Sequence, residues 1–418
     1  MAIQALANDH TVLCSSPDPA TIYTGSPGIW KTKSGRLIVT YDLRGEGITA
    51  DNAPILSRRG LYGCIITSDD RGATWQERGY FPFFHARPFE TDDGLYILGH
   101  DGDLMVIRST DDGEVWSEPM KLTEGETWHQ APCNVCFANN SIYLVMEKRL
   151  YDKCEGWRVS EIAPVLMRAS MEKDLTERAN WTLASELVFA DAVKDAELDD
   201  FGVPFYPAEY PKAYHPGTPG RACSPIGWLE TNVVQITDPE HMWYDPEGMT
   251  FHLISRAHTG RTNLGCISQV VQKPDGSMET SLVRAPSGKK WVYMPIPGGQ
   301  MKFHILYDEQ TKLYWLLSTQ STDSMVPHEK LASTRYNLAD NERRRLALHF
   351  SKNCVDWCFA GLVAQGEADV ESRHYAAMAI DGDDLVIVSR SGDEDARNPH
   401  DVNLVTFHRV ADFRNLVY

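Results

Sequence analysis

Short apolar runs, each bounded by Gly, Asp or Asn, follow one another along nearly the whole chain. The runs fall into six pairs, over residues 28–41, 85–99, 131–147, 232–255, 302–318 and 375–390. Turn residues sit inside most pairs: Lys33-Ser-Gly35, Asp92-Asp-Gly94, Asn139-Asn140, Asp308-Glu309 and Asp381-Gly382. Apolar stretches of this length split by such residues predict β-hairpins. Helical periodicity is weak, and the pattern suggests it only over 171–179 and in the loop 191–200. Residues 131–137 read as a buried strand.

Two segments repeat. Ser68-Asp-Asp-Arg-Gly-Ala-Thr-Trp75 and Ser109-Thr-Asp-Asp-Gly-Glu-Val-Trp116 both fit S-x-D-x-G-x-x-W, 41 residues apart, and each follows an apolar strand. The Asp suits a turn because its carboxylate accepts nearby backbone N–H groups. Gly supplies positive φ, and Trp anchors the next strand in the core. Ser351-Lys-Asn-Cys-Val-Asp-Trp357 is a shortened copy, and Ser170 and Trp181 bracket an expanded one. A repeat of this kind predicts an all-β, six-bladed β-propeller with blades of about 60 residues. We expect one domain over 1–418, with an N-terminal extension at 1–22 and a long loop insert at 194–221.

The repeated motif is similar to the Asp-box of sialidase-like (BNR) propellers, and the resemblance runs from about Tyr23 to Tyr418. It implies that the motif turns are structural and lie away from the site. In a propeller the mouth ends of the innermost strands converge on the axis. Those ends carry Ser26, His85, Arg87, His129, Glu230, Asn232, Lys302, Arg373 and Tyr375.

The resemblance implies roles for several of these. Tyr375, opening the strand Tyr375-Ala-Ala-Met-Ala-Ile, matches the family's nucleophile. Glu230, in Trp228-Leu-Glu230-Thr-Asn-Val-Val, matches the carboxylate that takes its proton. A phenol with a pKa of about 10 needs such a base at neutral pH. Arg256, in Ile254-Ser-Arg256-Ala, matches one of three arginines that hold a substrate carboxylate. Arg343 matches another, with Arg344 and Arg345 as alternatives. The first arginine of that set is absent, because blade one opens Thr24-Gly-Ser-Pro-Gly-Ile-Trp30. Arg44, Arg58, Arg59 or Arg87 are candidates to stand in. The family's general acid corresponds to Asp42 or Asp51, and Asp42 is favoured because it ends a strand. His129, in Trp128-His-Gln-Ala-Pro132, and His400-Asp401 have no counterpart in ordinary sialidases and are placed for acid–base work or substrate contact. With His85, Arg87, Asn232 and Lys302 they complete the candidate site.

Composition narrows the partners. The net charge of −18 disfavours nucleic acid and anionic membranes, and no apolar stretch is long enough to span a bilayer. Residues 1–19 lack the basic and apolar regions of a secretory signal, so we expect a cytoplasmic protein, or a secreted one whose signal has been removed. The nine cysteines are an odd count, against a disulfide framework, and Cys133-x-x-Cys136 lacks a second ligand pair for zinc. Acidic residues are too dispersed to name metal ligands, and no cofactor is expected. Three functions compete. The first is a glycoside hydrolase taking a terminal acidic or deoxy sugar. The second is a uronate lyase using His129 and Tyr375, and the third a non-catalytic carbohydrate-binding propeller.

Overall fold

The computed structural model describes residues 4–154, 157–195, 200–203, 205, 226–327, 330–331 and 342–418. Most of the predicted 194–221 insert, and Cys223, lie outside these. Six antiparallel sheets follow one another along the chain. Blade one contains Gly28–Lys31, Leu37–Arg44, Tyr62–Ser68 and Gln76–Phe81. Blade two contains Phe84–Glu90, Leu95–Asp101, Asp103–Ser109 and Met120–Lys121. Blade three contains Cys136–Ala138, Ser141–Arg149, Ile162–Ser170 and Trp181–Leu183. Blade four contains Gly227–Val234, Thr250–His258, Leu264–Gln272 and Met278–Ser281. Blade five contains His304–Asp308, Leu313–Gln320, Arg345–Ser351 and Cys358–Gln365. Blade six contains Arg373–Asp381, Asp384–Ser391 and Leu404–Val410. The result is the six-bladed propeller that the hairpin spacing predicts.

Inner strands are buried on both faces because each is sandwiched between neighbouring blades. Every residue of Leu95–Asp101 and of Gly227–Val234 is buried. This is why neither strand shows the strict apolar–polar alternation of a half-exposed one. The outermost strand Gln76–Phe81, by contrast, buries only Phe81 fully and exposes half its residues.

The ring closes through the N-terminus. Thr11–Ser15 pairs antiparallel with Leu404–Phe407 and becomes the outer strand of blade six, so much of the expected 1–22 extension is part of a blade. At the opposite edge of the same junction, Asp381 meets Lys31 at 2.8 Å, Arg71 at 2.8 Å and Arg409 at 2.9 Å. Arg71 belongs to the first repeated turn. Both turns close alike: Ser68 Oγ donates to Asp70 and Ser109 Oγ to Asp111, and each Trp indole N–H donates to the Gly carbonyl three residues back.

Three local expectations are corrected. Residues 171–179 form turns and a 3₁₀ segment, Arg178–Asn180, and no α-helix. Asp174 captures the Thr176 amide and hydroxyl and so competes with helix formation. Among the described residues of the loop 191–200, only 191–193 are helical, as the end of Phe189–Val193. Within 131–137 only Cys136 and Phe137 join a strand. Pro132 has no N–H to give a ladder, and side-chain amides take over. Gln130 donates to Thr231 O at 2.9 Å, and Asn134 exchanges two bonds with Val233 at 2.7 and 2.8 Å.

Candidate functional site

Three inner strands break register at the same end, near the mouth: between Phe84 and Arg87, Leu229 and Asn232, and His374 and Ala377. Inside each bulge one buried, non-glycine residue takes a positive φ: His85 at 54°, Glu230 at 57° and Tyr375 at 49°. Such conformations cost about 1–3 kcal/mol each and persist where the surroundings enforce them. A bulge also re-aims the side chain it carries. Blades two, four and six thus each turn one reactive side chain toward the axis.

Around Tyr375 the geometry is compact. Arg256 Nη1 lies 3.0 Å from the Tyr375 hydroxyl and 3.2 Å from Glu230 Oε2, and its Nε donates to Gln300 O at 2.7 Å. Burial, followed by the Glu230 carboxylate that hydrogen-bonds it, raises the Tyr375 pKa, although Arg256 and Arg343 oppose the shift. The phenol is therefore neutral at rest and needs a base beside it. Burial disfavours the charge on Arg256, yet Glu230 and Tyr375 outweigh it and hold the guanidinium protonated.

Further cations ring the phenol. The guanidinium carbon of Arg343 sits 5.8 Å from the Tyr375 ring centre, and that of Arg390 sits 5.4 Å away. Arg343 also contacts His374 Nδ1 at 2.8 Å. Of the three consecutive arginines, Arg343 is thus the one at the site, while Arg344 and Arg345 pair with Glu342. Sequence reasoning overlooked Arg390. Its signal was present: Ile387-Val-Ser-Arg390 parallels Leu253-Ile-Ser-Arg256, a charge closing an apolar second strand.

Asp42 and Arg44, at the end of the second strand of blade one, form an ion pair of 2.8 Å. Asp42 Oδ1 also accepts the His85 amide at 3.2 Å. A Cβ built on Gly25 would lie 1.7 Å from Asp42 Oδ2 and 2.5 Å from Arg44 Nη2. The pair therefore occupies the space beside blade one's first strand, where the family resemblance leads one to expect an arginine side chain. Asp51 is exposed and has no such contacts.

A histidine cluster adjoins the Asp42–Arg44 pair. His85 Nε2 is 3.2 Å from Arg44 Nη2, and its Nδ1 is 3.3 Å from His100 Nε2. The His129 ring centre lies 5.5 Å from His85 and 5.8 Å from His100, and His129 Nδ1 meets Glu147 Oε2 at 3.0 Å. Burial holds His85 and His100 well below the usual imidazole range, with neighbouring cations adding to the effect. Burial also raises Glu147 against the opposing pull of His129. His100 and Glu147 were not predicted. Both are polar residues ending apolar second strands, the position that Arg256 and Arg390 also hold. Among the described residues, no set of three or more His, Cys, Asp or Glu side chains is arranged to hold a metal ion.

Other predicted contacts lie elsewhere. His400 and Asp401 pair at 2.7 Å, and the His400 carbonyl accepts from Arg390, so they brace an arginine of the ring. Burial, then Arg390, pulls His400 down to about 3. Asn232 spends its amide on Phe303 O and the Ile305 N–H, stitching blade four to blade five. Lys302 donates to Ala376 O beneath Tyr375. Arg87 lines the axial channel together with His304 and Cys133, away from the phenol. Strand alternation explains Arg87, because beyond the His85 bulge its side chain falls on the channel side. Arg373 binds the Ser372 and Gly392 carbonyls at 2.8 and 2.7 Å and is structural.

No family model matches this chain, and no curated protein does. Solved structures do resemble it. An α-L-arabinanase from Penicillium chrysogenum aligns over 98% of this chain and 99% of its own, at 10% identity and TM-score 0.53. An intramolecular trans-sialidase from Ruminococcus gnavus aligns over 98% of each chain, at 11% identity and TM-score 0.54. A Hadza microbial sialidase covers 96% of this chain and 68% of its own, at 13% identity and TM-score 0.55. At such identities the likeness is one of fold, and the chain is a six-bladed β-propeller of the architecture that these sialidases and the arabinanase share.

Proposed function

We propose that the protein is a glycoside hydrolase that removes a terminal acidic sugar, with Tyr375 as nucleophile and Glu230 as its base. The observation that carries this reading is the Glu230–Arg256–Tyr375 contact set, in which two of the three members sit on strained bulges. Tyr375 Oη attacks the anomeric carbon, its proton passes to Glu230, and Arg256 stabilises the oxygen as it gains negative charge. The glycosidic oxygen leaves with a proton from Asp42 or His129. Water then attacks the anomeric carbon and gives its proton to the group that served as acid, the bond to Tyr375 breaks, and Glu230 returns its proton to the phenol oxygen. Arg44, Arg256, Arg343 and Arg390 supply local positive charge in a chain whose net charge is −18, which suits an anionic substrate. The fold's presence in sialidases supports this reading by analogy.

Tyr375→Phe and Glu230→Ala should each lower turnover of acidic monosaccharide glycosides by at least about 10²-fold while the far-ultraviolet spectrum stays native. Full activity in both variants would overturn the assignment. The hydrogen-bond reach among Tyr375, Glu230 and Arg256 also speaks against a purely sugar-binding role.

The His129–Glu147 contact at 3.0 Å favours a second reading, a lyase that removes a proton beside a uronate carboxylate. Elimination creates a conjugated double bond, so turnover would raise the ultraviolet absorbance. Hydrolysis leaves it flat.

A further inference from the structure

One cavity of the molecule lies away from the catalytic candidates. A channel of about 410 Å³ follows the axis and takes in Trp30, Phe137 and Tyr307. Its walls are mostly apolar, including Val233, Ile305, Ala377 and Met378, and it reaches Arg87, Cys133 and His304. Ala131, Met301 and Tyr375 pack together as a buried cluster that is not part of its lining.

Arg87 is only 3% exposed. Its Nη2 donates to Val145 O at 3.2 Å, while Nε and Nη1 have no partner, and His304 Nδ1 has none either. Lys302, 1% exposed, stands close by and uses its ammonium on the Ala376 carbonyl. The carboxylates that act on these cations are engaged elsewhere: Glu147 by His129 and Thr231, Glu230 by Arg256. Neither Arg87 nor Lys302 has an ion-pair partner among the described residues. Burial pushes Arg87 down to about 10 and Lys302 down to about 8. A buried guanidinium with two idle nitrogens at the end of an apolar channel is an unbalanced charge, and such charges are costly unless paired.

We propose that the axial channel is a second binding site, which holds a monovalent anion on Arg87. One negative charge balances the Arg87 cation and gives its idle donors an acceptor. The apolar walls favour anions that shed water readily, a halide ahead of the strongly hydrated carboxylate of a short organic acid. The site is separate from the arginines around Tyr375, and its occupancy does not depend on what those arginines bind.

Chloride NMR line width tests this with the intact protein at fixed ionic strength, gluconate replacing chloride. The wild-type protein should broaden the chloride line, and bromide should reverse the broadening more effectively than acetate. Arg87→Gln should lose most of the excess width, as should Ala379→Leu, which leaves Arg87 in place and narrows the channel. Arg390→Met, which removes a cation beside Tyr375, should keep it. The proposal is overturned by an unbroadened wild-type line, by broadening that survives Arg87→Gln or Ala379→Leu, or by broadening lost with Arg390. Stronger displacement by acetate would assign the site to carboxylates and contradict the halide preference.

Discussion

At the scale of single residues, Gly25 shows how this chain departs from the pattern it resembles. Its missing Cβ is what lets the Asp42 carboxylate and the Arg44 guanidinium lie against blade one. Gly25→Ala should therefore displace both groups and reduce kcat/KM by about tenfold or more, with little change in Tm; steady-state kinetics and a melting curve check this. The proton donor can be assigned by leaving group. Loss of a general acid matters least when the departing alcohol is itself acidic. If Asp42 is the donor, Asp42→Asn should be far more impaired on alkyl than on nitrophenyl glycosides, whereas His129→Gln should be impaired equally on both. The opposite pattern would move the role to His129.

Blades and turns were the most legible elements, because a buried hairpin needs unbroken apolar runs and the repeated turn needs Ser, Asp, Gly and Trp at fixed spacing. Arg256 was reached only through the family resemblance, whereas Glu230 and Tyr375 were legible as polar groups at the ends of apolar inner strands. Long-range pairing was not. Nothing local in Thr11–Ser15 says that it closes blade six, and nothing local in Asn232 says that its amide spans two blades. The bulges were equally hidden, because no Gly marks them; tertiary packing alone holds Tyr375 and Glu230 at positive φ. Asp381 joins blade six to blade one through Lys31 and Arg71, and pairs within its own blade with Arg409; all three cations are at least partly exposed. Asp381→Ala should destabilise the fold by about 1–3 kcal/mol, read from denaturant unfolding. An unchanged midpoint would show that strand pairing alone closes the ring.

At the scale of the whole molecule, buried histidines set the response to pH. Burial lowers His252, His349 and His408 to about 4, and it lowers His85, His100, His304 and His374 well below 6.5. The unfolded chain therefore binds protons on these rings between about pH 6.5 and 4 while the folded chain does not. By linkage, stability is full above that window and falls as pH drops through it. Each ring that titrates near 4 contributes at most about 2 kcal/mol of loss at pH 5. Tm should thus decline steeply from pH 7 to pH 5, and calorimetry across that range would show it; a flat profile would mean that these rings are not buried neutral.

The claim that ties these scales together is that Tyr375 forms a bond to the sugar. Intact mass and peptide mapping after reaction with fluorinated glycosyl fluorides of sialic, glucuronic and galacturonic acid test it most directly. The account predicts one glycosyl unit per chain for at least one of them, on the peptide that carries Tyr375, and none on Tyr375→Phe. Turnover of the parent glycoside with no adduct, or an adduct on another residue, would contradict it.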